Sequence, residues 1–274
     1  MKILQKFTNL QQRIIAGIIG LAIMITGICW NEWSFFVTFL VISLVCLYEF
    51  YTLLEKSNIQ SDKWFGLILG GSLYVFSFLI HAGWINFEAL WVIYIFSVTL
   101  FIIELYSKKD NPFQYIAFTL LGIFYVILPF TLLQWVVFDN NEYDYRIVLM
   151  ILLILWANDI GAYFTGMYLG KTRLFERISP KKTWEGFIGG AIFALLITGI
   201  MLTIFTSLHT LTWWLIAVII IITATYGDLV ESMFKRSLSI KDSGNIIPGH
   251  GGFLDRFDGL LLVLPFVAFF LKFF

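Results

Sequence analysis

Nine long apolar runs, separated by short polar breaks, leave this chain few ways to fold. A membrane-spanning helix needs about 20 mostly apolar residues, and a helix is the one single-segment structure that satisfies its own backbone in hydrocarbon. The runs lie at 14–30, 33–54, 64–81, 89–106, 115–138, 146–170, 185–208, 211–234 and 258–274. Composition agrees: 59% of residues are hydrophobic, 19% aromatic and 13% charged, against about 45–50% apolar and about 25% charged in soluble domains. Eighteen basic and eighteen acidic residues cannot cover a soluble surface for 274 residues. The expectation is an all-α, polytopic integral membrane protein of about nine spans. Pro129, inside the fifth run, removes an amide donor and predicts a kink there.

Net charge is zero, so no bulk electrostatic attraction points to nucleic acid. Cys29 and Cys46 sit in apolar runs without metal-ligand spacing and read as small core residues. Lys2, Lys6 and Arg13 precede the first run as in a secretory signal, but no small-residue cleavage site follows, so that run reads as a retained span. With nine spans, 16 of the 18 Lys and Arg fall on the N-terminal side, leaving Arg146 and Lys272 on the other. Basic residues collect in cytoplasmic loops, which predicts a cytoplasmic N-terminus. Two regions follow: residues 1–140 with about five spans, and 141–274 with about four spans and the long polar segments 171–184 and 235–257. Both segments fall on the cytoplasmic side.

The stretch from Ser232 to Asp258 differs in kind from the rest. It combines basic and acidic residues, a histidine and a glycine-rich turn. Asp255 and Asp258 are three apart, on one face of the helix that starts the last run. Such a pair repels unless a cation intervenes, and hard carboxylate oxygens suit Mg²⁺. Helix capping by Asp255, with Asp258 solvated or paired to Arg256, would also explain them. Just upstream, Asp228, Glu231, Ser232 and Lys235 line one face of the eighth run. An ionised Asp deep in the bilayer costs about 2.5–3.5 kcal/mol or more on insertion scales, so these acids call for partners unless they meet water at the headgroups.

Further polar groups approach the same leaflet. Asn158 and Asp159 lie past the midpoint of the sixth run, where they serve function or helix–helix association equally well. Ser179, Lys181, Lys182 and Thr183 offer ammonium groups and hydroxyls suited to phosphate. For Lys171, Arg173 and Arg177 the topological role is the better reading. The turn Ser243–Gly252 precedes a helix N-terminus able to receive an anion, and His250 within it can serve as acid or base, phosphate donor or turn residue. No P-loop, GxGxxG fingerprint, Cys nucleophile or His-rich cluster is present. A transporter would place polar groups in both halves of the chain. The first five runs hold few, apart from Glu49 and Glu104 near their cytoplasmic ends.

The pattern Ser232-x-Phe-Lys235-Arg236, four residues, Lys241-Asp242, Pro248-Gly-His250-Gly251-Gly, Asp255-Arg256-Phe-Asp258 resembles the signature of the phosphatidate cytidylyltransferase (CDP-diacylglycerol synthase) family without departure. Asn158-Asp159-Ile-Gly-Ala-Tyr163 and Ser179-Pro-Lys181-Lys-Thr183-Trp-Glu-Gly186 extend the resemblance over the C-terminal 120 or so residues. It implies transfer of a cytidylyl group from CTP to phosphatidic acid in a membrane, with Mg²⁺ and a second metal ion as candidate cofactors, and a homodimer. On that reading Asp228, Asp255 and Asp258 hold metal, and Lys235, Arg236 and Lys241 stabilise the pyrophosphate or the lipid phosphate. Asp159, Ser179, Lys181 and Thr183 complete the substrate site with Ser232, Asp242, His250, Gly251 and Arg256. A bacterial-type plasma membrane with the site facing the cytoplasm is expected. A CTP-dependent polyprenol kinase and an archaeal-type enzyme using an ether lipid are the rivals.

Overall fold

The structure, a computed structural model, describes residues 9–139, 141–240 and 251–274. Its helices are α1 (Asn9–Cys29), α2 (Glu32–Lys56), α3 (Lys63–His81), α4 (Leu90–Tyr106) and α5 (Pro112–Gly122). A π-helical turn, Ile123–Ile127, joins α5 to α6 (Leu128–Val137). Then come α7 (Tyr145–Leu169), α8 (Trp184–Ile204), α9 (Thr210–Ser237) and α10 (Leu254–Phe273). Each of the nine apolar runs coincides with helix. Among the described residues, seven helical segments, from α2 through α9 with α5–α6 taken as one, are long and apolar enough to cross a membrane by length and composition. The runs at 14–30 and 258–274 are helical as α1 and α10, the latter carrying Asp255, Arg256, Asp258 and Lys272 at its ends. The chain is a helical integral membrane protein.

Local chemistry sets the boundaries. Asn31 and Ser34 form a reciprocal capping box at the start of α2, with bonds of 2.8 and 3.0 Å. Asp144 accepts the Arg146 amide at 3.0 Å to start α7. Around Pro129 the helix ladder widens: the Leu128 N–H donates to Ile123 O, five residues back. Proline has no amide and crowds the carbonyl four residues earlier, and a π-turn just before it relieves both demands.

Two small antiparallel hairpins depart from the all-α expectation. β1 (Phe138–Asp139) pairs with β2 (Glu142–Tyr143), and β3 (Arg173–Phe175) with β4 (Ser179–Thr183). The second hairpin occupies the segment read from sequence as a polar loop. Strand pairing gives the backbone of this largely exposed segment its own hydrogen-bond partners.

One core runs through both halves of the chain. Phe35, Phe39, Tyr51, Tyr74, Phe78 and Phe130 are buried among α2, α3 and α6, and Leu254, Leu260 and Leu264 carry the same core into α10. Lipid is as apolar as these side chains, so the helices associate through close packing and polar bonds more than through expulsion of water. The Tyr51 hydroxyl donates to Thr119 O at 2.7 Å within this core. Between α4 and α5, the Lys109 ammonium bonds Asp62 Oδ1 at 2.7 Å and the buried Glu104. Burial disfavours the charged lysine, but its bonds to Asp62 and Glu104 outweigh that and hold its pKa above the ordinary value.

Candidate active site

Close helix contacts place the polar groups. Between α7 and α8, a Cβ at Gly190 would lie 2.7 Å from Asn158 O, so only glycine lets the two backbones approach there. Between α9 and α10, a Cβ at Gly227 would lie 2.9 Å from the Cα of Gly259. Asp228 and Asp258 flank that contact on the two helices, and it brings their carboxylates within electrostatic reach of each other.

A cavity of ≈ 490 Å³ opens where α7, β4, α8 and α9 meet. Asn158, Asp159, Ser179, Lys181, Lys182 and Asp228 form its polar wall, and Tyr163, Met167, Leu174 and Phe187 its apolar one. The Lys182 ammonium pairs with the Asp228 carboxylate across it. Thr183 also lines the cavity, but it is 5% exposed and caps α8: its Oγ1 accepts the Gly186 N–H at 3.1 Å. Glu185 steadies the hairpin entrance by accepting the Lys171 amide at 3.0 Å and the Thr172 amide at 3.1 Å.

A second group lies one turn further along α9. Lys235 bonds Glu231, four residues before it, and Asp255 Oδ1 at 3.1 Å on α10. Asp255 Oδ2 accepts the Gly252 N–H at 3.2 Å, so both capping and ion pairing engage this residue. Gly251 has φ +83°, the left-handed conformation that glycine adopts without strain. Asp258 joins the two groups, since Asp228, Glu231 and Asp159 all act electrostatically on it. Ser232 is half-buried beside Glu231, while Arg236 and Arg256 are exposed at the helix ends. Lys241, Asp242 and His250 lie outside the described residues.

The donor set is compatible with a divalent cation. Five carboxylates, Asp159, Asp228, Glu231, Asp255 and Asp258, share this region, and Lys182 and Lys235 supply positive charge to them. Glu231 Oε1 and Asn158 Oδ1 are buried without a hydrogen-bond partner among the described residues, and hard oxygens of this kind suit Mg²⁺. Among the described residues, no three Asp, Glu, His or Cys side chains already converge as a coordination shell.

Sequence reasoning grouped Lys182 with its loop and did not single out its contact with Asp228. It also left Glu49 without a role. Glu49 is 3% exposed on α2, and its Oε2 accepts the Leu254 N–H at 2.8 Å at the start of α10. An acid inside an apolar span was the available signal, since burial demands a partner.

The cytidylyltransferase family profile matches residues 11–274. A Bacillus subtilis protein named phosphatidate cytidylyltransferase is 33% identical over 273 residues, covering 97% of this chain and 99% of its own. A Staphylococcus saprophyticus protein of the same name is 37% identical over 225 residues, covering 80% of this chain and 85% of its own. One from Staphylococcus epidermidis is 42% identical over 161 residues, 58% of this chain and 60% of its own. With a family match over nearly its whole length and polar groups gathered where α7 to α10 meet, this chain belongs to the cytidylyltransferase family.

Proposed function

We propose that this chain transfers the cytidylyl group of CTP to phosphatidate, giving CDP-diacylglycerol and pyrophosphate. The observation that carries the reading is the two-sided cavity. Its lysines and Ser179 face the same space as Tyr163, Met167, Leu174 and Phe187, which suits a substrate with a phosphate head and an apolar body. The names of the relatives point to the same substrate.

In this reaction an oxygen of the lipid phosphate attacks the α-phosphorus of CTP. The bond from that phosphorus to the β-phosphate oxygen breaks, and pyrophosphate leaves with the electron pair. The attacking phosphate is already ionised near neutral pH, so positioning and charge stabilisation matter more than a strong base. Lys181, Lys182 and Ser179 would hold phosphate oxygens at the cavity. Lys235, with Arg236 and Lys241, would stabilise the leaving group. Asp228, Asp255 and Asp258, supported by Asp159, would hold Mg²⁺, which supplies counter-charge for the triphosphate when bound. Ser232, Asp242, His250, Gly251 and Arg256 would complete the substrate contacts.

The same reading places the N-terminus and the site on the cytoplasmic face, crosses the membrane nine times, and pairs the chain as a homodimer. Residues 141–274 form its catalytic half. Purified protein in mixed micelles, given phosphatidate, Mg²⁺ and CTP labelled at either the α- or the γ-phosphate, tests the chemistry. Label from the α position should appear in lipid and label from the γ position in pyrophosphate. Lipid carrying the γ label would indicate a kinase, and no labelled lipid from folded protein would sink the proposal.

A further inference from the structure

The C-terminal part of α2 and its C-cap, Ser57, touch both the end of α9 and the start of α10. On the α9 side, the Phe50 ring stacks on Phe234 with centroids 5.0 Å apart and planes 10° from parallel, and Ser57 Oγ donates to Leu238 O at 3.2 Å. On the α10 side, Glu49 Oε2 accepts the Leu254 N–H at 2.8 Å. The residue at the N-cap of α10, Phe253, offers no capping side chain of its own. A helix N-terminus carries unsatisfied amides and a partial positive charge, both of which a carboxylate answers. Here the carboxylate comes from 205 residues earlier in the chain.

We propose that Glu49 is a positioning residue for the transfer reaction: by capping α10 from α2, it fixes the helix start from which Asp255 and Asp258 project. The assignment of a reaction rests on the function proposed above; the capping role itself does not. Asp255 follows the capped amide by one residue and Asp258 by one helical turn. Loss of the cap frees the first turn of α10 to fray or rotate, and the two carboxylates move with it. The cavity walls on α7, β4 and α8 are held by other contacts, among them the Thr183 cap and the glycine contact at Gly190, and do not depend on Glu49. Glu49 therefore separates the geometry of α10 from the binding of the lipid phosphate at the cavity lysines.

The test compares wild type, Glu49→Gln and Glu49→Ala in detergent, reading α-labelled CTP incorporation into lipid and amide hydrogen exchange in peptides covering residues 251–260. Gln keeps an oxygen for the Leu254 amide and should retain kcat within about threefold, with wild-type exchange. Ala removes the acceptor and should lower kcat about 10²-fold, as misplacement of reacting groups by an ångström can. Its KM for phosphatidate should stay within about threefold. Exchange should quicken at 251–260 and stay unchanged across α7 and α8. Should Glu49→Ala fail to fold, Glu49→Asp, one methylene too short, should show the same pattern. Wild-type kcat and exchange in the Ala or Asp variant would overturn the proposal, as would a loss shared equally by KM and by exchange in every helix. If the wild type itself makes no lipid product, the proposed reaction fails, and the exchange data alone decide whether Glu49 caps α10.

Discussion

The Lys182 ammonium pairs with the Asp228 carboxylate, tying the strand that leads into α8 to the polar end of α9. Each is the other's counter-charge at the mouth of the cavity, and both are partly exposed, so losing one partner leaves the other solvated but without its fixed counter-charge. Asp228→Asn should lower kcat/KM about 10²–10³-fold and Lys182→Gln about 10–10²-fold, magnitudes typical of removed electrostatic contacts. The double variant should lose less than the product of the two, because the residues share one interaction. Steady-state rates on the three proteins check this, and multiplicative losses would show that the two act independently.

Asp255 is held between Lys235 and the Gly252 amide, whereas Asp258 faces the other acids. Asp255→Asn and Asp258→Asn should each abolish measurable turnover. The melting temperature should shift little in Asp258→Asn, since relieving repulsion offsets the lost charge. Substantial activity in either variant would remove that residue from the site.

Chelation of divalent ions should stop turnover, and Mg²⁺ should restore it. Asp258→Glu and Asp228→Glu, which keep the charge but lengthen the side chain, should need more Mg²⁺ for half-maximal rate than the wild type. An enzyme indifferent to chelator would contradict the metal-binding role of these carboxylates.

Lys109 yields a pH prediction away from the site. Its folded-state pKa is raised, so its bonds to Asp62 and Glu104 contribute stability that is present below the unfolded value near 10.5 and is lost as pH rises through the folded pKa. Lys109→Met should melt at lower temperature than wild type at pH 8, and the gap should narrow above the unfolded pKa as wild type loses the same interaction. Thermal melts in detergent across that range check it.

Membrane orientation can be tested at two exposed positions, Glu142 in the β1–β2 hairpin and Lys171 after α7. With the native cysteines replaced, an impermeant maleimide should label Glu142→Cys in intact cells and reach Lys171→Cys after lysis. The reverse pattern would invert the proposed topology.

The helical segments were legible because each apolar run reaches at least 17 residues, the lower end of what a spanning helix needs, a signal that survives ignorance of every contact. Asp159, Ser179, Lys181 and Asp228 were legible as candidates from polarity at one leaflet, and the structure brings all four to one cavity. The hairpin at Ser179–Thr183 was hidden because five residues with proline and two lysines carry no strand alternation; pairing with Arg173–Phe175 makes the strand. The π-turn was equally hidden: Pro129 announces a disturbance but not how the ladder absorbs it. Glu49 could be noticed as an acid in an apolar run, yet its partner, the Leu254 amide, is a backbone group that no side-chain pattern reveals.

The Gly227–Gly259 contact sets a distance by what is missing. A single methyl on Gly227 would act as a wedge, holding α9 and α10 apart and widening the gap between the carboxylates they carry. Two absent side chains thus serve as the ruler for a charge separation, and a Gly227→Ala protein could keep every acid and base of the site while spacing them for no ligand.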